Sequence, residues 1–222
     1  MVSANETLTS ELSLDVDWSL GEKSFAEIKN LLKELDPKRI LEFGSGVSSI
    51  RLALSFPDCE LISVEHNRFY ADKTEAMKNA HNASNLELLY APLKHRWLNL
   101  GRYLTYSFNV PNVEFDSLII DGPPGFVRGG REACLFLAYE NLKIGGYVFL
   151  DDYERKTEQH AVQSWLEAYP GSFEWFIIES GHRIAVLRKI RQVNPNLFTI
   201  RRMSRNFRYN LRNFISRVKG LI

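Results

Sequence analysis

No apolar run in this chain approaches the roughly 20 residues needed to cross a bilayer. Met1 to Leu20 has neither the basic start nor the apolar centre of a secretory signal, so the expected location is cytoplasmic. Only two cysteines occur, Cys59 and Cys134, and they form no Cys-x-x-Cys pattern. That argues against a disulfide framework or a cysteine metal site, and both are expected to be reduced thiols in or near the core. No acidic residue follows Glu179, whereas ten basic residues lie between Arg188 and Lys219. The 18 remaining basic residues face 27 acidic ones, so the net charge of +1 conceals an acidic body and a basic tail. Internal repeats and low-complexity segments are also missing.

What is present is an ordinary globular composition, 45% hydrophobic and 25% charged over 222 residues. It suits one domain, residues 22–190, between an N-terminal extension, 1–21, and a tail, 191–222. The stretch Arg39-Ile40-Leu41-Glu42-Phe43-Gly44-Ser45-Gly46 organises that domain. Its near-continuous apolar run predicts a strand covered on both faces. Gly44 and Gly46 permit a sharp turn and a close approach of backbone to a ligand. Val47, Ile50 and Leu54 have helical spacing, so free backbone N–H groups would point back at the turn.

Taken in order, the spacing predicts a helix over 22–35, a strand over 39–44, a helix over 47–56, a strand over 60–65 and a helix over 68–82. Leu86 to Tyr90 reads as a third strand. Leu93, Trp97, Leu100 and Leu104 predict a helix, followed by a loop to Pro111. A fourth strand is expected over 115–120, a helix over 130–142, a fifth strand over 147–150 and a helix over 155–168. Phe173 to Glu179 and Arg183 to Lys189 then read as a hairpin. Five strand–helix alternations closed by a hairpin imply an α/β fold whose mainly parallel sheet carries one antiparallel strand.

In such sheets ligands bind at the carboxyl ends of the strands. Four of those ends carry chemistry here: Gly44-Ser45-Gly46, Glu65-His66, Asp121 and Asp151-Asp152. Glu65 lies about 21 residues beyond Gly44, the offset at which an acid reaches a ribose hydroxyl pair. Together the motifs Ile-Leu-Glu42-Phe-Gly44-Ser45-Gly46, Ser-Val-Glu65-His66, Ile-Ile-Asp121-Gly-Pro-Pro-Gly and Gly-Gly-Tyr-Val-Phe-Leu-Asp151-Asp152-Tyr resemble the class I S-adenosylmethionine-dependent methyltransferases. The resemblance covers about residues 22–189. It implies a doubly wound, Rossmann-like, seven-stranded sheet with helices on both faces and an antiparallel C-terminal hairpin strand. It implies that Glu42, Gly44, Ser45 and Gly46 flank the methionine part of the cofactor and that Glu65 holds the ribose. His66 and the Ala91-Pro92 turn would then border the adenine, with Asp121 nearby.

Asp121, Asp151 and Asp152 also resemble the metal ligands of the O-methyltransferase branch that acts on catechol-type, small-molecule or sugar acceptors. Magnesium takes oxygen ligands of this kind, and a divalent cation would lower the pKa of a bound hydroxyl. Pro-Pro-Gly after Asp121 departs from several of those enzymes. Asp121 is the first candidate for the base, with His95 and His160 behind it. Asp151 has the alternative of capping the helix after it, through the spacing Asp151-x-x-Glu154. Arg128 and Arg131 either recognise an anionic substrate group or are simply solvated.

The tail repeats apolar residues at three and four positions, Ile200, Met203, Phe207, Leu211, Phe214, Val218 and Leu221, with arginines between them. This predicts an amphipathic basic helix that docks on the body, forms a homodimer or touches an anionic membrane surface. A nucleic-acid partner does not suit the acidic body. Two rival functions remain. In an NAD-dependent oxidoreductase the third fingerprint glycine would have to be Ser49, and a binding or scaffold protein would keep the fold without catalysis.

Overall fold

The computed structural model describes residues 21–99, 101–180, 182–196 and 200–220. The N-terminal extension, except Gly21, and Leu221 lie outside the described residues, as does Gly181 of the expected hairpin turn. Strand β1 (Arg39–Phe43) lies in the middle of a seven-stranded sheet. It pairs in parallel with β2 (Glu60–Glu65) on one side and β6 (Phe115–Ile120) on the other. β3 (Leu86–Tyr90) continues the sheet beyond β2, and β7 (Leu142–Leu150) continues it beyond β6. β8 (Phe173–Ser180) and β9 (His182–Lys189) complete the order β3-β2-β1-β6-β7-β9-β8. β9 alone runs opposite to the other six strands of this sheet. The chain order therefore reverses between β1 and β6, which opens a crevice at their carboxyl ends.

Alternation along the strands splits the core in two. Ile40, Leu61, Ile119, Phe149 and Val186 face α1 (Glu22–Leu35) and α2 (Val47–Ser55) and pack with Phe25, Ile28, Leu32 and Ile50. Leu41, Phe43, Val64, Leu118, Val148 and Leu187 point the other way, towards α4 (Gly130–Ala138) and α5 (Lys156–Ala168). α3 (Arg68–Ala80) packs on β2 and β3. Sheet and helices match the doubly wound arrangement that the sequence predicts, with most boundaries within two residues. α4 is shorter than predicted: a 3-10 turn, Tyr139–Asn141, follows it, and β7 begins at Leu142. Gly145, at φ +90°, lies in the irregular part of that strand, where the pairing with β6 shifts register.

The segment after Pro92 corrects the prediction. It forms no helix but an antiparallel hairpin, β4 (Leu93–Leu98) and β5 (Gly101–Tyr106). Asn99, at φ +45°, lies in the turn. The helical spacing of Leu93, Trp97 and Leu104 is accidental, since Trp97 is 75% exposed while Leu104 is buried. Gly101, Tyr103, Leu104, Thr105 and Tyr106 are all buried, so β5 lacks the period-2 alternation that marks a half-exposed strand.

α6 (Ile200–Val218) explains part of that burial. It docks on β5 through its polar face: Arg202, Arg205, Asn206, Tyr209 and Asn213 are buried. Asn206 accepts a hydrogen bond from the Arg102 amide (3.0 Å) and donates one to the Arg102 carbonyl (3.0 Å). Asn213 holds the Arg128 amide (2.8 Å) and carbonyl (3.0 Å) in the same two-pronged way. Ile200, Met203, Phe207, Leu211, Phe214 and Val218 form the opposite, exposed face. Docking on the body is thus present, in the reverse sense to a usual surface helix, whose apolar stripe turns inward. No described helix is long and apolar enough to cross a membrane.

Replacing Asn213 by Ala leaves the Arg128 amide and carbonyl without these partners. Asn213→Ala is expected to lower stability by about 1–3 kcal/mol in urea denaturation and to speed tryptic release of the tail.

Candidate functional site

The parallel registers align the chemistry on one rim. Phe43 stands opposite Val64 and Ile120, so the next residues, Gly44 and Asp121, emerge together beside Glu65. The Gly44 amide donates to the Val64 carbonyl (2.9 Å), the Asp121 amide to the Phe43 carbonyl (3.0 Å) and the Asp151 amide to the Ile120 carbonyl (3.1 Å). Gly44 adopts φ +99°, and a Cβ there would lie 2.9 Å from the Gly122 nitrogen. A Cβ on Gly122 would in turn collide with the Tyr106 hydroxyl. Only glycine at both positions lets the two turns pass this closely. A Cβ on Gly46 would meet nothing within 4 Å, so the space beyond the turn is free for a ligand.

Glu65 ties down the turn from the neighbouring strand. Its carboxylate accepts from the Ser45 amide (3.0 Å) and the Asn67 amide (2.7 Å), and His66 Nδ1 is 2.9 Å away. Burial pushes its pKa up, but the His66 ring and the two amides outweigh that and hold it below the ordinary glutamate value. The carboxylate is therefore ionised, and its remaining lone pairs can accept from a ribose diol. His66 and the buried Ala91 flank it, the Ala91 amide donating to the Glu65 carbonyl (2.7 Å). Ser45 is also held by Thr74, oxygen to oxygen 3.1 Å, a contact that nothing in the motif announced.

Glu42 lies under the turn, with none of its surface exposed. The hydroxyls of Ser48 (3.0 Å) and Ser49 donate to its carboxyl. Its place is that of a support binding the end of β1 to the first turn of α2. Burial pushes its pKa up to about 7 against the pull of those hydroxyls. Ser49, where a dinucleotide fingerprint would have its third glycine, is committed to this bond.

Asp121, Asp151 and Asp152 come together, with ligand-capable atoms within 4.8 Å of one another. The capping alternative for Asp151 fails, because α5 starts at Lys156 with Arg155 before it. A side chain of α4 takes the centre of the cluster. Arg131, 6% exposed, pairs with Asp152 (3.0 Å) and Asp121 (3.3 Å). It also donates to the carbonyls of Asp151 (3.1 Å), Pro123 (3.1 Å) and Asp121. Arg155 adds a second cation at Asp152 (2.6 Å). Magnesium needs a near-octahedral oxygen shell, and here a guanidinium already sits among the carboxylates. The residues present do not fit a divalent cation.

Asp151 remains the group with spare capacity. Its Oδ1 is buried and has no hydrogen-bond partner. Burial first, then the charges of Asp121 and Asp152, push its pKa up to about 8. His95 sits on β4 opposite Leu104, and burial first, then the charges of Arg102 and Arg217, lower its pKa. His160 lies on α5 beside Tyr209. Sequence reasoning left Arg131 either recognising an anionic substrate group or solvated, whereas the structure buries it among the aspartates. The one sequence signal was an arginine in the first turn of the helix after the Pro-Pro turn.

No family model matches the chain, and no curated protein matches it. The fold does match solved structures. One is the O-methyltransferase TomG from Streptomyces achromogenes, involved in tomaymycin synthesis and solved in complex with SAM. It shares 16% identity at a TM-score of 0.60, covering 86% of this chain and 92% of that one. An O-methyltransferase from Bacillus cereus in complex with SAH shares 14% at 0.60, covering 83% and 89%. An SAH-bound methyltransferase from Podospora anserina shares 14% at 0.63, covering 83% and 86%. At these identities the likeness establishes a common fold.

The position of Glu42 makes a stability prediction. Below pH about 4.5 its carboxyl is protonated in both folded and unfolded chains. As pH rises towards 7 the unfolded chain gives up the proton while the folded protein keeps it, so folding loses stability. Glu42→Gln lacks this loss. Its stability relative to wild type is expected to climb between pH 5 and 8, by at most roughly 3 kcal/mol, in urea denaturation at the two pH values.

Proposed function

We propose that this protein is an S-adenosylmethionine-dependent methyltransferase acting on an oxygen of a small-molecule or sugar acceptor, without a divalent cation. The observation that carries the reading is the single rim. The Gly44–Gly46 turn lies between an ionised Glu65 at the end of β2 and the aspartates at the ends of β6 and β7. Solved methyltransferases of the same fold, bound to SAM or SAH, support it.

In this reading Gly44 and Gly46 admit the donor close to the backbone, Glu65 accepts from its ribose hydroxyls, and His66 and Ala91 border its adenine. The donor, when bound, supplies a sulfonium methyl already activated for in-line displacement. The acceptor hydroxyl must lose its proton as its oxygen bonds to the methyl carbon and the carbon–sulfur bond breaks. In this reading Asp151 takes that proton, a role supported by its buried, unpartnered Oδ1 and its raised pKa. Arg131 holds Asp121 and Asp152 fixed on either side and keeps the site from accumulating uncompensated negative charge.

Glu65→Ala is expected to weaken S-adenosylhomocysteine binding by about tenfold or more in calorimetry. Unchanged affinity would remove the ribose assignment. Asp151→Asn is expected to lower kcat by about a hundredfold or more with that affinity intact. Wild-type kcat should rise with pH through about 8, as Asp151 loses its proton, and EDTA should leave it unchanged.

A further inference from the structure

The docked tail builds a second concavity. Arg128, from the segment after the Pro-Pro turn, meets Arg155 and Lys156 at the start of α5 and Arg205, Arg208 and Arg212 of α6. Together they line a cavity of about 450 Å³ that no carboxylate lines. Arg155 is paired with Asp152 (2.6 Å), and Arg205 lies 3.8 Å from Glu132. Among the described residues, the other four cations have no carboxylate at ion-pair distance. Four like charges gathered in one concavity repel one another, and a multiply charged anion relieves that repulsion through charge-assisted hydrogen bonds. The first residues of α5, Lys156 and Thr157, form part of the wall, so the positive end of that helix adds to the field. His160 lies on the same wall, and burial first, then Arg205, Arg208, Arg201 and Lys156, lower its pKa.

We propose that this cavity binds the phosphate or diphosphate group of the methyl acceptor, making the substrate a phosphorylated small molecule or sugar. The assignment rests on the methyltransferase reading above and names the acceptor class of that site. Its link to the chemistry is Arg155, which lines the cavity and bonds Asp152, the neighbour of Asp151. The cavity exists because α6 docks by its polar face, which gives the inverted docking a purpose.

The test is calorimetry on the full chain with pyrophosphate as probe, comparing wild type with the double variant Arg208→Glu/Arg212→Glu. Both side chains are exposed, so the fold should tolerate the change, and circular dichroism checks it. Wild type is expected to bind, and the variant to bind at least ~10-fold more weakly with its affinity for S-adenosylhomocysteine unaltered. Equal pyrophosphate affinity in the two proteins, or no binding by wild type, overturns the proposal. Pyrophosphate binding by a wild type that does not bind S-adenosylhomocysteine overturns the acceptor role together with the methyltransferase reading. Cosedimentation with phosphatidylcholine vesicles carrying phosphatidic acid separates the two sources of phosphate. Sedimentation that pyrophosphate competes away assigns a lipid headgroup, and pyrophosphate binding without sedimentation assigns a soluble phosphoester.

Discussion

Three carboxylates at the ends of two adjacent strands are unstable together unless something cationic joins them. Arg131 is that cation, and the geometry around the crevice follows from it. Its guanidinium spans Asp121 and Asp152 and bonds carbonyls of Pro123, Asp151 and Asp121, so one side chain binds α4, the turn after β6 and the end of β7. Removing one partner from a buried arrangement of this sort typically costs about 3–5 kcal/mol, because the other charges are left without compensation. The same arrangement divides labour among the aspartates. Two of them pair with Arg131, and Asp151 keeps a buried oxygen without a hydrogen-bond partner.

The tail obeys an opposite logic from most surface helices. Asparagine side chains that match the backbone amide and carbonyl of Arg102 and Arg128 supply the docking, so hydrogen-bond geometry does what an apolar stripe usually does. The apolar residues are thereby left outside, Arg202 and Arg205 are buried, and Arg205, Arg208 and Arg212 line the cavity. Buried arginines beside Glu132 and the asparagine clamps make the placement specific rather than merely adhesive.

Much of the sheet was legible in the amino-acid order. Ile40, Leu41 and Phe43 declare a buried strand, the glycines after Phe43 declare its turn, and Glu65 follows at a diagnostic distance. Those signals are local, since each depends on periodicity or spacing within a few turns of chain. The hairpin over 93–106 was not legible, because β5 is buried almost throughout and its residues lose the alternation that would betray a strand. The place of Arg131 was not legible for a related reason: three aspartates at strand ends look alike whether or not an arginine stands among them.

By itself, then, the sequence determined the strand–helix alternation, the central glycine turn, the acid at its ribose-like offset and the division into an acidic body and a basic tail. Tertiary structure decided which carboxylates are paired, that Glu42 supports the turn from below, that Arg131 stands among the aspartates, and which face of α6 meets the body. The physical reason is range. Hydrophobic periodicity is written along the chain, whereas charge compensation and desolvation depend on which groups from distant segments are brought within a few ångströms of one another.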